Sequence, residues 1–237
     1  MKTTQQAEIG DANSMDSKVR KRMIQVVVQM LLIGAILFIS AGSLRWVWAW
    51  AYLVLGVIIL AANAMVMPRD LIAERGSPRD NVKPWDRVLT GIGMLPWLAL
   101  FVVSGLDERF AWSPELPPAI HLIGMAGMAL GQALFTWAMV SNAFFSTLVR
   151  IQMERNHNVA TGGPYRLVRH PGYVGYVTSS VATPLIFGSL WGLVPAGLLS
   201  LLLIVRTALE DRTLQQELDG YREYAQRVRF RLLPGVW

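Results

Sequence analysis

Residues 173–205, YVGYVTSSVATPLIFGSLWGLVPAGLLSLLLIV, form a 33-residue stretch without a charged side chain. As a single helix it would reach about 50 Å at 1.5 Å per residue, far beyond the roughly 30 Å hydrocarbon layer of a bilayer. The stretch must therefore fold back on itself. Phe187-Gly188-Ser189, flanked by Pro184 and Pro195, is where it can turn. The two arms are short and only just long enough to cross. This reading sets the fold class: all-α, a polytopic membrane bundle that ends in a helical hairpin. Composition agrees, with 53% hydrophobic residues, 16% charged residues and a mean hydropathy of +0.38.

Working toward the N-terminus, four further apolar runs have the length of membrane spans: about 23–44, 46–67, 88–106 with Pro96 inside it, and 118–141. Trp46, Trp48, Trp50 and Tyr52 follow Arg45 and suit an interfacial aromatic belt. Asn63 suits a helix–helix hydrogen bond and His121 a packing role. Gly124, Gly127 and Gly131 let another helix approach closely. Residues 1–22 are polar, end in Lys18, Arg20, Lys21 and Arg22, and read as a flexible tail with a juxtamembrane anchor, not as a cleaved targeting segment. The connection 68–87, with RDLIAERG and KPWDR, has room for a short interfacial helix, and 107–117 is a short acidic loop. The expected organisation is a tail (1–22), a four-span region (23–141) and a C-terminal module (142–237).

Six crossings place 20 of the 22 Lys and Arg on one side, with Arg45 and Arg109 alone on the other. The positive-inside rule then puts both termini in the cytoplasm. The net charge of +6 is spread between spans, which points to the membrane and away from nucleic acid. The chain has no cysteine, which removes disulfides, thiolate metal sites and a cysteine nucleophile, and no metal-ligand motif is present. No GxGxxG or GxxxxGK[ST] occurs, so neither a dinucleotide-binding nor a P-loop domain is expected.

Just before the hairpin lies Thr161–Tyr173, TGGPYRLVRHPGY. Two glycines and two prolines make it a shaped loop. Arg166 and Arg169 offer forked donors that match a carboxylate, His170 can donate or accept near neutral pH, and Tyr165 and Tyr173 add ring faces with polar tips. Arg and Tyr beside a span also serve as interfacial anchors, so the loop alone leaves ligand binding and anchoring both open. Because Tyr173 begins one arm of the hairpin and Arg206 ends the other, the loop and the start of the C-terminal tail must be neighbours. Arg206 and Glu210, four residues apart, share a helix face and fit either a surface ion pair or a pocket wall. Leu209, Leu214, Leu218 and Tyr221 give the tail an apolar stripe that should pack on the bundle or lie at the interface.

The order H-x-V-x-T-x-G-P-Y-R-x-V-R-H-P-G-Y-x-G (157–175), R-x-x-x-E-D (206–211) and Y-x-x-Y-x-x-R-V-R (221–229) resembles the isoprenylcysteine carboxyl methyltransferase family over about the last hundred residues. With its RFRLLPGVW ending it looks like the bacterial branch. The resemblance implies an integral membrane methyltransferase that uses S-adenosyl-L-methionine without a Rossmann domain, acts on a lipophilic acceptor, first of all a carboxylate, and sits in a bacterial inner membrane with its active site cytoplasmic. It implies that Gln152, His157, Asn158, Val159, Ala160, Tyr165, His170, Pro171, Gly172, Tyr173 and Glu210 line the cofactor site, that Arg206 meets the substrate, and that Arg169 lies near the reaction centre. Asp211 stands where the family has a second glutamate, and Asn158 and Ala160 replace bulkier residues; these departures bear on the acceptor. An NADPH-dependent reductase of the sterol-reductase type, whose C-terminal regions also carry RHP, and a non-enzymatic lipid-binding protein are the alternatives. Monomer and oligomer are equally compatible with the sequence.

Overall fold

The structure is a computed structural model that describes the backbone of residues 2–75 and 81–237 and the side chains from Met15 onward apart from that of Glu74. The described residues form eight α-helices and no strand. They are α1 (Lys2–Ala41), α2 (Val47–Val66), α3 (Arg69–Arg75), α4 (Pro84–Phe110), α5 (Pro118–Val140), α6 (Pro171–Phe187), α7 (Leu193–Glu217) and α8 (Tyr221–Arg227). Single 3-10 turns occupy Met153–Arg155 and Gly163–Arg166.

The expected hairpin is present as α6 and α7, and it turns where the sequence places the turn. Gly188 ends α6 at φ +74°, and a Cβ there would lie 2.8 Å from the His121 ring. Of the six expected crossings, α6 is the short one. Five helices are long and apolar enough to cross a membrane: Met15–Ala41 within α1, then α2, α4, α5 and α7. At 17 residues, α6 would reach only about 25 Å at 1.5 Å per residue, short of the layer. It compensates by burial, with Ser179, Ala182, Thr183 and Ile186 enclosed between its neighbours. Two boundaries also differ. Helix α1 runs back to Lys2, so the polar N-terminal segment continues a helix and is not irregular chain. Helix α7 continues through Arg206 to Glu217, so the expected tail begins as a direct extension of a span. The interfacial helix expected in 68–87 is α3; residues 76–80 of that connection lie outside the described residues.

Helices α5 and α6 pack most closely, through the glycines the sequence singles out. A Cβ on Gly124 would lie 2.6 Å from the backbone nitrogen of Ile186, and one on Gly131 would lie 2.5 Å from Ser179 Oγ and 2.6 Å from the Gly175 carbonyl. Thr136 on α5 donates to Asn63 on α2 at 2.6 Å, the expected interhelical bond. His121 is satisfied by packing as expected: its Nδ1 lies 2.9 Å from the Ile186 carbonyl and its ring stacks on Trp48 at 4.0 Å. That stacking changes the picture of the aromatic belt. Trp46 is buried, Tyr52 packs on Phe101 and Phe187, and only Trp50 of the four is largely exposed, its Nε1 donating to the Leu44 carbonyl. At this same end Asp107, buried within α4, accepts from Ser113 and Ser189 and ties the α4–α5 connection to the hairpin turn. At the opposite, basic end Ala138, Tyr165, Leu218, Tyr221 and Tyr224 form a second apolar cluster, with Leu214 packed against it. The stripe on the tail therefore packs on the bundle.

These contacts predict that Gly131→Ala will lower stability by about 1–3 kcal/mol, because an added methyl has no room. Gly91→Ala, where a Cβ meets nothing within 4 Å, will leave stability unchanged or raise it slightly. Thermal unfolding of the two purified variants checks the contrast; equal shifts would show that the glycines do not set the α5–α6 approach.

Candidate functional site

The Thr161–Tyr173 loop takes its shape from its punctuation. Gly163 sits at φ +54° with the place of a Cβ only 2.3 Å from Ser141 Oγ. Pro164 opens the 3-10 turn and Pro171 opens α6. Between the turns the chain bends at Arg169, and it pairs with the C-terminal segment: the amide of Arg169 donates to the Phe230 carbonyl and that of His170 to the Arg231 carbonyl, both at 2.9 Å.

One carboxylate holds this arrangement. Asp211, fully buried on α7, accepts from Arg169 Nε at 2.7 Å and Nη2 at 3.0 Å, from Tyr221 at 3.0 Å, from Arg231 Nε at 2.9 Å and from Gln215 at 2.8 Å. His170 Nε2 lies 3.2 Å from it. The remaining face of the Arg169 fork donates to the Val228 and Arg229 carbonyls. Loop, helix, α8 and C-terminal segment thus meet on one side chain. Burial together with the Asp211 charge pushes the Tyr221 phenol well above its ordinary range, so it stays a donor.

A second buried pair lies across the bundle. Asp86, in the first turn of α4, takes Arg206 Nε at 2.7 Å and Nη2 at 3.1 Å, and also the amide of Val149 at 2.7 Å. Arg206 Nη2 further donates to the Thr147 carbonyl, and its guanidinium lies over the Tyr173 ring. Arg206 and Glu210 share a face of α7 as expected, yet they do not form the surface ion pair weighed from sequence. Arg206 turns to Asp86, and Glu210 accepts from the Tyr173 hydroxyl.

Between these two pairs opens a cavity of about 420 Å³. His157, Asn158, Val159, Ala160, Tyr165, Arg169, His170, Gly172, Tyr173, Arg206 and Glu210 all line it. Gln152 and Pro171 do not. The Gln152 side chain is buried, donating to the Phe144 carbonyl and accepting from Arg155, so it props the cavity wall from behind. Pro171 is consumed in starting α6. Arg166 is exposed on the outer side of its turn and lies off the cavity.

Several lining residues have no signal in the motif. Phe144 stacks on His157 at 4.5 Å. Phe145 occupies the space that a Cβ on Gly172 would fill, 2.8 Å away. Arg75 reaches the cavity from α3, with Phe135 and Phe145 each within 6 Å of its guanidinium. Asp86 is visible in the sequence only as an acidic residue in KPWDR; nothing there ties it to a residue 120 positions later. Away from the loop the cavity continues between α4 and α7 as an apolar lobe lined by Gly93, Met94, Trp97, Leu199 and Leu203. Met94 is 56% exposed on a span, so this lobe adjoins the surface that faces lipid.

Comparison with known proteins matches this region. Residues 122–216 fit the model of the isoprenylcysteine carboxyl methyltransferase (ICMT) family, a segment running from α5 through the loop and hairpin to the end of α7. This segment, about two fifths of the chain, is similar to the ICMT family. Similar proteins include a probable protein-S-isoprenylcysteine O-methyltransferase of Oryza sativa subsp. indica, 29% identical over 46% of this chain and 59% of its own length. Protein-S-isoprenylcysteine O-methyltransferase B of Arabidopsis thaliana is 30% identical over 46% of this chain and 57% of its own. The Schizosaccharomyces pombe protein-S-isoprenylcysteine O-methyltransferase is 33% identical over 44% and 52%. The chain thus spans between half and three fifths of the length of these relatives. The ICMT match contains the loop, Asp211 and Glu210, whereas Asp86, the α4 wall and α8 fall outside it.

In this cavity His157 is held neutral. Burial, then the positive charges of Arg150 and Arg155, lower its pKa to about 4. Because the folded value lies below the unfolded one near 6.5, the group withdraws stability as pH falls from about 6.5 toward 4. We predict that the His157 imidazole, observed by NMR with labelled histidine, stays neutral at pH 5.5; protonation near pH 6.5 would contradict the enclosure described.

Proposed function

We propose that the protein is an integral membrane methyltransferase that uses S-adenosyl-L-methionine to methylate a carboxylate on a lipophilic acceptor. The observation that carries this is a single cavity with a polar, aromatic lobe at the basic end and an apolar lobe between α4 and α7. One lobe suits a water-soluble charged molecule and the other a hydrocarbon chain, and the family match covers the segment that separates them.

The residues of the polar lobe fit the cofactor. Glu210 presents a carboxylate to the cavity, suited to a cation or to sugar hydroxyls, and neutral His157 adds a ring face without adding positive charge. The absence of a side chain at Gly172 lets Phe145 form an aromatic wall. When bound there, S-adenosyl-L-methionine supplies a sulfonium methyl group that an acceptor carboxylate can take in one in-line displacement, leaving S-adenosylhomocysteine. The protein then needs no general base. Its tasks are to align two partners and to exclude water. Tyr165, fixed by Asn142 at its hydroxyl and by Tyr224 at its carbonyl, gives the polar lobe a rigid wall. Arg206 and Arg169 contribute positive charge at the junction of the lobes while their forks remain tied to Asp86 and Asp211. They therefore guide an acceptor carboxylate by field and by orientation, and not by the free guanidinium fork that the sequence offers at Arg169. The same reading puts the cavity mouth and both termini on the cytoplasmic side, and the C-terminal ending supports a bacterial inner membrane.

Thermal stabilisation of the detergent-purified protein by S-adenosylhomocysteine, with NADPH in parallel, tests the proposal. The homocysteine compound should raise the unfolding temperature, and Glu210→Gln should weaken its binding about tenfold, as expected for loss of a charge-assisted hydrogen bond. A shift with NADPH alone would replace the methyltransferase by a reductase. A folded protein that responds to neither would leave a lipid-binding role.

A further inference from the structure

Two neighbouring residues of the loop motif take no part in the cavity. Within Thr161–Tyr173, Val168, Arg169 and His170 are buried, whereas Arg166 and Leu167 are exposed, Leu167 by 64%. The C-terminal segment that pairs with this loop has an outer face of the same kind. Its Phe230 and Arg231 carbonyls take the Arg169 and His170 amides, and Leu232 is buried, but Leu233 and Val236 are 53% and 77% exposed. Arg229 is exposed just ahead of them. Among the described residues no ion pair holds Arg166 or Arg229. Neither 155–209 nor 224–237 contains an Asp or Glu, so the positive charge of this face is not offset within either segment.

The depth of this face follows from the helix ends beside it. The turn Gly163–Arg166 and the start of α6 rest against the last turns of α5. A Cβ on Gly163 would lie 3.1 Å from Trp137 Nε1, and one on Gly172 would lie 3.7 Å from the Ala138 Cβ. Helix α5 is long and apolar enough to cross a membrane and ends at Val140, so its last turn marks the edge of the hydrocarbon layer. Trp137 is half exposed at that edge, where an indole favours the headgroup layer. A loop seated on this turn lies at headgroup depth. Its two backbone bonds bring residues 230 and 231 to the same depth. Exposed leucine and valine beside exposed arginines suit this layer, because aliphatic groups enter the acyl boundary while guanidinium forks take phosphates.

We infer that Arg166, Leu167, Arg229, Leu233 and Val236 form a docking surface for anionic phospholipid at the basic end of the bundle. The three aliphatic side chains enter the acyl boundary and the two arginines hold headgroup phosphates. One short stretch of loop then serves two partners. Arg169 and His170 turn inward to Asp211, while Arg166 and Leu167 turn to the bilayer. The uncompensated charge selects an anionic surface over a zwitterionic one, by about fivefold for each arginine near it. This surface lies outside the cavity and is independent of what the cavity binds.

Because the chain has no cysteine, a spin label can be attached at one chosen position at a time. Leu167→Cys and Val236→Cys place it at two exposed sites off the cavity. Each labelled protein is reconstituted in vesicles of phosphatidylcholine alone and of phosphatidylcholine mixed with phosphatidylglycerol. In the anionic vesicles both labels should be several-fold more accessible to oxygen than to a water-soluble nickel chelate, as for a group in the acyl boundary. The preference should be weaker in phosphatidylcholine alone. Arg166→Gln combined with Arg229→Gln should remove the difference between the two lipids without changing the unfolding temperature in detergent. Labels that meet the nickel chelate as freely as oxygen in both lipids would overturn the inference and assign the face to water or to a soluble partner. Equal immersion in both lipids, unmoved by the arginine substitutions, would overturn the recognition of anionic phospholipid.

Discussion

A single buried carboxylate, Asp211, is the point on which four segments of the basic end converge. Two arginines, a histidine, a tyrosine and a glutamine meet it from the loop, the C-terminal segment, α8 and its own helix. An isolated charge with no exposure would be strongly unfavourable, and removing one member of such a cluster typically costs about 3–5 kcal/mol. The charges must therefore assemble together or not at all. That requirement converts a flexible Gly/Pro-rich stretch into a defined wall. The backbone amides of Arg169 and His170 can then pair with residues 230 and 231, and α8 can bring Tyr221 and Tyr224 under the cavity.

The second pair, Asp86 with Arg206, does for the two lobes what Asp211 does for the loop. It fastens the start of α4 to the middle of α7 and fixes the strap 147–149 across the gap. Between the two pairs the guanidinium charges remain close to the cavity while their hydrogen bonds are spent on the protein itself. This arrangement suits preorganised electrostatics, since the charges need not move when a ligand arrives. It also leaves hydroxyls and aromatic faces, more than the arginine forks, as the groups able to make new contacts.

Much of this is legible in the sequence where local chemistry decides the outcome. The hairpin follows from the excess length of 173–205 and the turn from Gly188, and the close α5–α6 approach follows from glycines spaced along one face. Most of the loop motif reaches the cavity because its glycines and prolines permit only a compact shape. What cannot be read depends on partners distant in the chain. Asp86 shows no sign of its bond to Arg206, and Asp211 reads as a departure from the usual glutamate until its five neighbours are seen. Arg169 and Arg206 look like open forks in sequence because their carboxylates come from elsewhere. Gln152 sits close to His157 in the chain yet its side chain turns to the Phe144 carbonyl and Arg155, a matter of its direction just ahead of a 3-10 turn. The Trp46–Tyr52 belt misleads for a related reason: aromatic residues at a helix start suit lipid headgroups and a packed core equally, and only the presence of His121, Phe101 and Phe187 across the bundle decides.

The measurement that bears most directly on the organising role of Asp211 is amide hydrogen exchange in the wild-type protein and in Asp211→Asn. If the carboxylate assembles the site, the variant will lose protection together at the Arg169 and His170 amides and at residues 228–232, while the α5–α6 interface keeps its protection. If exchange changes only in the turn of α7 around position 211, the loop and the C-terminal segment hold each other without the carboxylate, and Asp211 is not the residue that assembles the site.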